Sequence, residues 1–309
     1  MMHAEPHPIL VTGAHRTGTT WVGRMLAASP RVAYLSEPLN VLHRPGVFRA
    51  SVPRWYTYIC EENAHAYLSS YLELLSYRYH LMAELGSIHS ARDLLRMARD
   101  IRVFMGGRIG SQTPLLKDPF AMLSLRWFAE ELHCRIVVTI RHPAAFASGL
   151  KRLGWSFDFQ DLLQQPLLMR DHLESFRGAM QSAEAGDVVG QAGLLWAIIY
   201  KTLQNLRLTI PILQVVRHED LALDPVGGFR ELYMHLGLEF TDGAKRAIVE
   251  SSSPENPAEL SKRRVHSVKL DSRASLQNWK SRLSGEEVAR VRQLTDGVVQ
   301  LYYPESSWN

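Results

Sequence analysis

The stretch LVTGAHRTGTTWVGRML, residues 10–26, decides the fold. An apolar run leads into Gly13, four residues follow, and Gly18 stands where a helical pattern begins. This outline is typical of the phosphate-binding Walker loop, G-x-x-x-x-G-K-[ST]. Here Thr19 takes the place of the lysine, and the nearest cation is Arg16, inside the loop. The spacing predicts an anion site without the usual lysine, with a purely structural glycine-rich turn as the alternative.

Short β-rich runs alternate with helical patterns along the rest of the chain, which favours βαβ units and a parallel sheet. We expect an α/β protein with a P-loop-type three-layer sandwich, in which helices flank a mostly parallel sheet of about five strands. The candidate strands are 8–13, 31–36, 114–118, 135–141 and 211–217. The candidate helices are 18–28, 120–133, 144–153, 225–236 and a last one that begins with a capping box of Ser284 and Glu287.

A long segment separates the second and third candidate strands. It has helical patterns at 61–85 and 90–104 and an aromatic-rich start, WYTYICEENAHAYLSSYLELLSYRYH. We interpret about 41–112 as a helical insert over the edge of the sheet, within one domain that spans 1–309. Its aromatic residues are candidates for an acceptor pocket or for ordinary core packing.

Composition places the chain in a broad class. Its 309 residues are 46% hydrophobic, which is ample for a core, and its net charge of +4 suits a small anionic ligand as well as nucleic acid. The two cysteines give no disulfide framework, and the segment before the first strand is too short and polar for a signal peptide. The most apolar run, 194–200, is too short for a membrane span. We therefore expect a cytoplasmic protein without a membrane span.

The polar residues that finish the strands are the most informative feature. The first strand ends in the loop that contains Arg16, and the second ends in SEPLN with Glu37. The third ends in LLKDPF with Lys117 and Asp118, and the fourth ends at Arg141. Because the carboxyl ends of parallel strands share one edge of a sheet, one carboxylate and three cations are expected on one rim.

These strand ends argue against ordinary nucleotide hydrolysis. A metal-dependent P-loop enzyme needs the loop lysine and a strand-end acidic residue that holds Mg²⁺. In this sequence the lysine is absent, and Arg141 would repel the metal and attract a second phosphate. The pattern predicts a site for an anion that is transferred without a metal.

The loop resembles that of the sulfotransferases that use 3′-phosphoadenosine 5′-phosphosulfate (PAPS). Their loop has the form [KR]-[ST]-G-T-T, and the resemblance is strongest to the protein-tyrosine sulfotransferase branch and its bacterial relatives. It implies that the loop binds the 5′-phosphosulfate through Arg16, Thr17, Gly18, Thr19, Thr20 and Trp21.

The same branch carries a glutamate general base after the next strand, and Glu37 matches it. It also carries an N-K-D-P-F-like segment whose lysine contacts the reacting sulfate, and Lys117 matches that residue. The resemblance therefore implies that Glu37, Arg16 and Lys117 are catalytic.

The family binds the 3′-phosphate with a strand-end arginine and with a serine eight residues later. Arg141 matches the arginine, whereas the eighth position is Gly149 and Ser148 stands one place early. The segment RASLQNWKSRLS resembles a late element of the family that closes over the cofactor. It implies a covering segment at about 251–283, with Arg273 and Lys280 as cofactor ligands.

The resemblance implies in-line transfer of the sulfuryl group from PAPS to a hydroxyl, with Glu37 taking the proton and adenosine 3′,5′-bisphosphate leaving. No metal takes part. The expected acceptor is a small molecule or a carbohydrate or phenolic hydroxyl, and no nucleic-acid partner is expected. Two other functions stay open: a P-loop phosphotransferase or kinase that uses a nucleoside triphosphate, and a non-enzymatic anion binder, for example of RNA.

Several residues have alternative interpretations. His43 and His142 are rival bases, although His142 stands at a helix start and is better explained as structural. Glu219 and Asp220 in HEDL are candidate metal ligands, but no further ligands occur at a matching spacing. The basic run 262–269 is either a solvated face or a lid over the anionic cofactor.

Overall fold

The computed structural model describes residues 7–210, 213–259 and 267–308. Within these ranges, five strands form one all-parallel sheet, which confirms the predicted fold class. The strands are β1 (Ile9–Gly13), β2 (Val32–Ser36), β3 (Thr113–Lys117), β4 (Arg135–Ile140) and β5 (Leu213–Arg217). Their order is β2-β3-β1-β4-β5, so the strand that feeds the loop lies at the centre. The first two residues of the predicted fifth strand lie outside the described residues.

Helices cover both faces of the sheet. Within the described ranges the α-helices are α1 (Thr19–Leu26), α2 (Leu68–Leu75), α3 (Leu81–Leu85), α4 (Ala91–Ile109), α5 (Leu125–Glu130), α6 (Pro143–Leu153), α7 (Gln160–Leu163), α8 (Pro166–Leu168), α9 (Arg177–Gln181), α10 (Val188–Arg207), α11 (His218–Leu223), α12 (Pro225–His235), α13 (Asp242–Ser252) and α14 (Gly285–Thr295). In that part of the chain, none is long and apolar enough to cross a membrane.

Alternate strand residues enter two apolar clusters, one on each side of the sheet. Leu10 and Ile136 belong to the cluster that contains Trp196 of α10, whereas Val11 and Val137 belong to the cluster that contains Phe229 of α12. This alternation is the period of two of an extended strand. Both faces of the sheet are covered, so the strands are mostly apolar and the sandwich has three layers.

The helical insert is present between β2 and β3 and contains α2, α3 and α4. Its aromatic residues Phe48, Tyr71 and Phe104 join the larger apolar cluster, and α4 packs against the edge strand β2. The predicted helix 120–133 divides into a 3₁₀ helix, Pro119–Ser124, and α5. Asp118 caps the 3₁₀ turn by accepting from the Phe120 N–H. The capping box of Ser284 and Glu287 is present at α14.

The centre of the sheet holds the loop in place. Gly13 has φ 144°, and a Cβ there would lie 2.3 Å from the Thr139 carbonyl oxygen, so only glycine fits. Tyr200 of α10 donates to the Thr139 carbonyl at 2.9 Å and accepts from the Ala14 N–H at 3.3 Å. Trp196 donates to the Arg141 carbonyl at 2.9 Å. The apolar run of α10 thus fixes the ends of β1 and β4 against each other.

Candidate active site

A cavity of about 750 Å³ lies at the carboxyl ends of the strands, where the sequence placed its polar residues. Its wall includes Arg16, Glu37 and Arg141 from the ends of β1, β2 and β4. The volume is in the range of cavities that enclose a cofactor-sized ligand. Other parts of the wall come from the loop residues Gly18, Thr19, Thr20 and Trp21, from the aromatic residues Trp55, Phe120, Trp155 and Phe157, and from a late segment with Ser267, Leu270, Ser272 and Ser275.

The loop has the backbone of an anion nest. Arg16 has φ 69° and Gly18 has φ 101°, and α1 begins directly afterwards at Thr19. A Cβ on Gly18 would lie 2.7 Å from Nδ1 of His218, so the glycine is needed for both its conformation and its space. The first N–H groups of α1 have no partners within the helix and are available to an anion.

The two sides of the loop have different tasks. Thr19, Thr20 and Trp21 line the cavity. Thr17 is fully buried, and its hydroxyl donates to the Ala14 carbonyl at 2.6 Å and contacts Oγ1 of Thr139 at 2.8 Å. Thr17 therefore supports the loop from below through its side chain.

Glu37 is held in one orientation. Its backbone has φ 51° and its N–H donates to the Lys117 carbonyl at 2.8 Å. The Lys117 ammonium contacts Oε1, and Asn40 donates to Oε2 at 2.7 Å. Lys117 is only 2% exposed and does not line the cavity itself, but it contacts Glu37, which does. A fixed carboxylate in a strained backbone position at a cavity wall is typical of a functional residue.

Asp118 follows Lys117 but has a separate task. Its two oxygens accept from the Leu39 N–H at 2.6 Å and from the Phe120 N–H at 2.9 Å. Complete burial raises the pKa of this carboxyl to about 7, even though both N–H groups favour the charged form. Asp118 thus fixes the segments that follow β2 and β3. Its two oxygens are occupied by backbone N–H groups, and the Lys117 ammonium pairs with Glu37.

Arg16 and Arg141 give the cavity wall positive charge, and Arg152 and Arg282, which both pair with Glu259, act on them from outside the wall. Burial, followed by the charges of Arg141 and Arg152, lowers the pKa of Arg16 to about 10. Burial also lowers the pKa of Arg141, and the charges of Arg282 and Arg152 act in the same direction, against the opposite effect of Glu219. Mutual repulsion of this kind is relieved by a bound anion.

Arg141 has unused hydrogen-bonding capacity. Its Nε is buried and has no partner in the described part of the chain, and its Nη1 makes one long contact, 3.5 Å, with the Arg16 carbonyl. Ser148 is fully buried on α6, where its hydroxyl accepts from Arg282 at 3.4 Å. Arg282 is thus the late basic residue that approaches this corner.

His218 is a second polar side chain with unused capacity. It follows β5, lines the cavity and is 9% exposed, yet neither ring nitrogen has a partner in the described part of the chain. Burial, followed by the charge of Arg141, holds its pKa well below the ordinary value, so the ring is neutral. It meets the Trp21 ring edge to face at 5.6 Å. A neutral donor-acceptor beside an aromatic ring suits a planar heterocyclic base.

The late segment contributes small residues to the cavity wall. Ser272 and Ser275 line it, whereas the two basic residues expected there lie outside its wall. Arg273 is exposed and donates to the Leu223 carbonyl at 2.7 Å, and Lys280 is exposed beside the Trp279 ring. The basic run 262–269 lies outside the described residues as far as residue 266.

The other end of the cavity is aromatic. Trp55 and Phe120 have ring centroids 4.5 Å apart, and Arg16 lies 5.8 Å from the Trp155 ring centroid. His15 lines the same region, and its Nδ1 is 2.9 Å from the Tyr56 hydroxyl. Burial, and then the charge of Arg16, lower the pKa of His15 to about 4. The ring is therefore neutral at ordinary pH.

The rival bases lie outside the cavity wall. His43 contacts the Asn40 carbonyl at 2.9 Å and packs on Phe48. His142 is enclosed by the rings of Trp279, Tyr303 and Trp308. The acidic residues in the wall are Glu37, Asp158 and Asp161, and Glu37 is the one that contacts Lys117.

The acidic residues after β5 have structural partners. Glu219 accepts from the His142 N–H at 2.9 Å and from the Tyr303 hydroxyl at 2.7 Å, and Asp220 pairs with Arg217. Among the described side chains, no group of three or more His, Cys, Asp or Glu residues is arranged to hold a metal ion.

His142 gives a prediction about stability. Burial lowers its pKa to about 4, so the native ring stays neutral while the unfolded chain takes up a proton below about pH 6.5. Between these values the unfolded state binds more protons, and the free energy of unfolding falls with acidification by about 1.4 kcal/mol per pH unit for each such histidine. We expect His142→Phe to flatten this slope in urea unfolding between pH 6.5 and 4.5. His65→Phe, at an exposed position, is the control, and equal slopes for native protein and His142→Phe would contradict the assignment.

Two residues of the cavity wall, Asn40 and His218, were not identified from the sequence. Asn40 lies within the quoted SEPLN segment, and its amide next to a glutamate was a usable signal. His218 enters the wall through tertiary packing, and no local pattern marked it. Arg152 and Arg282, which both pair with Glu259 outside the wall, were also not identified.

The sequence model of the Sulfotransferase family matches residues 8–242. Among curated protein sequences, none matches the chain. The solved sulfotransferase domain from the curacin biosynthetic pathway has a TM-score of 0.50 and 14% identity, covering 97% of this chain and 98% of that chain. The sulfotransferase domain from the Synechococcus PCC 7002 olefin synthase has a TM-score of 0.49 and 16% identity, with 98% of each chain covered. Sulfotransferase STF9 from Mycobacterium avium has a TM-score of 0.48 and 14% identity, covering 98% of this chain and 78% of that one. At 14% identity, the likeness to the first of these is one of fold.

Proposed function

The chain belongs to the sulfotransferase family, and from this we propose that it transfers the sulfuryl group of PAPS to the hydroxyl of an acceptor. The observation that carries the proposal is the cavity wall itself. It joins an oriented carboxylate, Glu37, to two arginines, Arg16 and Arg141, at the ends of three different strands. A doubly anionic adenylate fits this charge pattern.

The described residues fit such a donor. The nest between Gly13 and Gly18 and the start of α1 would hold the 5′-phosphosulfate, with hydroxyls from Thr19 and Thr20. The unpartnered Nε of Arg141 favours a forked contact with the 3′-phosphate, with Arg282 and Ser148 beside it. Trp21 and His218 would bind the adenine, because one offers a ring face and the other an unused donor and acceptor.

The donor supplies the sulfuryl group, and the chain supplies the acid–base chemistry and the charge. Glu37 would take the proton of the acceptor hydroxyl while the hydroxyl oxygen bonds to sulfur and the bond between sulfur and the phosphate oxygen breaks. Arg16 would stabilise charge on the sulfuryl oxygens and on the departing phosphate oxygen. Lys117 would act on the same charge while it orients Glu37, since its ammonium already contacts that carboxylate. Arg273 and Lys280, which lie outside the wall, remain candidates only for a closed state of the late segment.

The aromatic end of the cavity favours an acceptor with a phenolic or carbohydrate hydroxyl. Trp55, Phe120 and Trp155 offer flat apolar faces beside Glu37, and both phenols and sugar rings stack on such faces. We also propose that residues 1–309 form one domain, with the insert at about 41–112 and the covering segment at about 251–283. Its place would be the cytoplasm, where the free thiols of Cys60 and Cys134 are stable.

The phosphotransferase alternative receives no support from the residues. The lysine position of the loop is Thr19, and β4 is followed by Arg141, where a magnesium-binding carboxylate would be needed. Sulfuryl transfer needs neither.

Label transfer tests the proposal. We expect [³⁵S]PAPS to label a panel of phenols and hexosamines in the presence of EDTA, with release of adenosine 3′,5′-bisphosphate. The matched incubation contains [γ-³²P]ATP and MgCl₂. Magnesium-dependent transfer of phosphorus in that incubation, without sulfur transfer in the first, would assign the chain to the phosphotransferases.

A further inference from the structure

Exposed apolar side chains are concentrated in the helical insert. Among the large apolar residues that are exposed in the described part of the chain, more than half lie in 42–109. They are Leu42, Leu72, Leu81, Met82, Leu85, Leu94, Leu95, Met105 and Ile109. Isolated exposed apolar residues need no explanation, but a concentration of them on one element marks an interaction surface.

Helix α4 carries the clearest part of this surface. At 100° per residue, Leu94, Met105, Ile109 and Leu95 fall within one third of the helix circumference. Leu95 is 74% exposed and Ile109 is 80% exposed. The inner face of the same helix is supplied by Phe104, which is buried. The helix therefore has one apolar face against the protein and a second one in solvent.

Helix α4 also carries arginines, one of which, Arg102, lies within the outer apolar stripe. The helix contains Arg92, Arg96, Arg99, Arg102 and Arg108, all exposed. Two of these arginines are paired with the aspartates of the helix: Arg99 donates to Asp100 at 2.8 Å, and Arg96 contacts Asp93 at 3.5 Å. Arg92, Arg102 and Arg108 have no ion-pair partner among the described residues, so this side of the helix is positively charged as well as apolar.

We propose that the outer face of α4 binds the surface of an anionic lipid bilayer, with the helix lying in the plane of the interface. Leu94, Leu95, Met105 and Ile109 would enter the boundary between headgroups and acyl chains, and the flanking arginines would contact lipid phosphates. Their methylene stems lie along the apolar stripe while the guanidinium groups stay at headgroup level. The protein is then held at the membrane from one side, without spanning it.

Other occupants fit this face less well. In a two-fold dimer the same patch meets itself, so the arginines of one copy would face those of the other without carboxylates to separate them. A nucleic acid would satisfy the arginines, but it offers nothing apolar to Leu95 or Ile109. Anionic lipid supplies both complements at once. The inference does not depend on sulfuryl transfer, because none of the α4 residues lines the cavity.

Vesicle co-sedimentation tests the proposal with the full chain. We expect binding to vesicles of phosphatidylcholine and phosphatidylglycerol, little binding to phosphatidylcholine alone, and weaker binding at high salt. Leu95→Ser combined with Ile109→Ser should weaken binding about tenfold or more, and so should Arg92→Glu combined with Arg102→Glu. The matched control is Leu208→Ser with Met234→Ser, which changes side chains that are 89% and 76% exposed elsewhere on the surface. The four residues that these two variants replace with serine are all exposed, so we expect both variants to fold. Thermal unfolding checks this.

Several outcomes overturn the proposal. One is equal binding of the native protein and the α4 variants, and another is equal binding to neutral and anionic vesicles. Sedimentation equilibrium that shows a dimer lost in Leu95→Ser with Ile109→Ser, without vesicle binding, assigns the face to a second copy. Polynucleotide binding that is lost only in the arginine variant, again without vesicle binding, assigns it to nucleic acid.

Discussion

The Glu37→Gln variant is expected to bind adenosine 3′,5′-bisphosphate as the native protein does and to turn over about 10²–10⁴-fold more slowly. Glutamine keeps the shape of the side chain and can still contact Asn40, but it cannot take the proton of the acceptor hydroxyl. The measurement is kcat with [³⁵S]PAPS and the best acceptor of the panel, together with the dissociation constant for the nucleotide.

Two further variants separate the base from its surroundings. Glu250→Gln changes an exposed carboxylate that contacts Lys269, and it should leave kcat unchanged. Glu37→Gln removes the charge beside the buried Lys117 ammonium. Combining it with Lys117→Met removes both charges and tests the effect on stability separately. A folded Glu37→Gln protein with native turnover would remove Glu37 from the mechanism.

The second large effect is expected at Arg141. Arg141→Met should weaken binding of adenosine 3′,5′-bisphosphate about 10- to 100-fold and change the affinity for adenosine 5′-monophosphate far less. The reason is that a charged, partly unpartnered guanidinium is lost from the 3′-phosphate corner alone. Calorimetric titration of both nucleotides measures the two changes.

Arg217→Met is the matched control, because Arg217 also ends a strand but pairs with Asp220 outside the cavity wall. It should leave both affinities unchanged. Equal losses for the two nucleotides in Arg141→Met would mean that Arg141 supports the loop in general, and its contact with the Arg16 carbonyl would then be its main task.

The loop and the strands were predictable because their signals are local. Gly13 and Gly18 stand at the two ends of a loop whose backbone requires glycine at these positions. Strands that are buried on both faces appear in the sequence as continuous apolar runs. Once the sheet is parallel, its topology alone brings Arg16, Glu37 and Arg141 to one edge. No contact between distant side chains had to be guessed.

The remaining part of the site depends on tertiary packing. The late segment covers the cavity, but the sequence does not determine which of its side chains face inward. Ser272 and Ser275 do so, while Arg273 turns to a carbonyl oxygen. The side-chain direction of Thr17 is set by Thr139 of β4, 122 positions later.

In the insert, too, the sequence did not determine which side chains are exposed. Helical patterns at 61–85 and 90–104 predicted its helices, but they did not show that Leu95 and Ile109 would lie in solvent. Periodicity identifies an apolar face and does not say what covers it. On α4 one apolar face packs on β2 and a second is left outside.

The most direct test of the account is a calorimetric titration of the native protein with adenosine 3′,5′-bisphosphate in EDTA. Saturable binding with one site per chain, unchanged by added MgCl₂ and stronger than the binding of ATP with MgCl₂, is the predicted result. Tight, magnesium-dependent binding of ATP together with no detectable binding of the bisphosphate would contradict it.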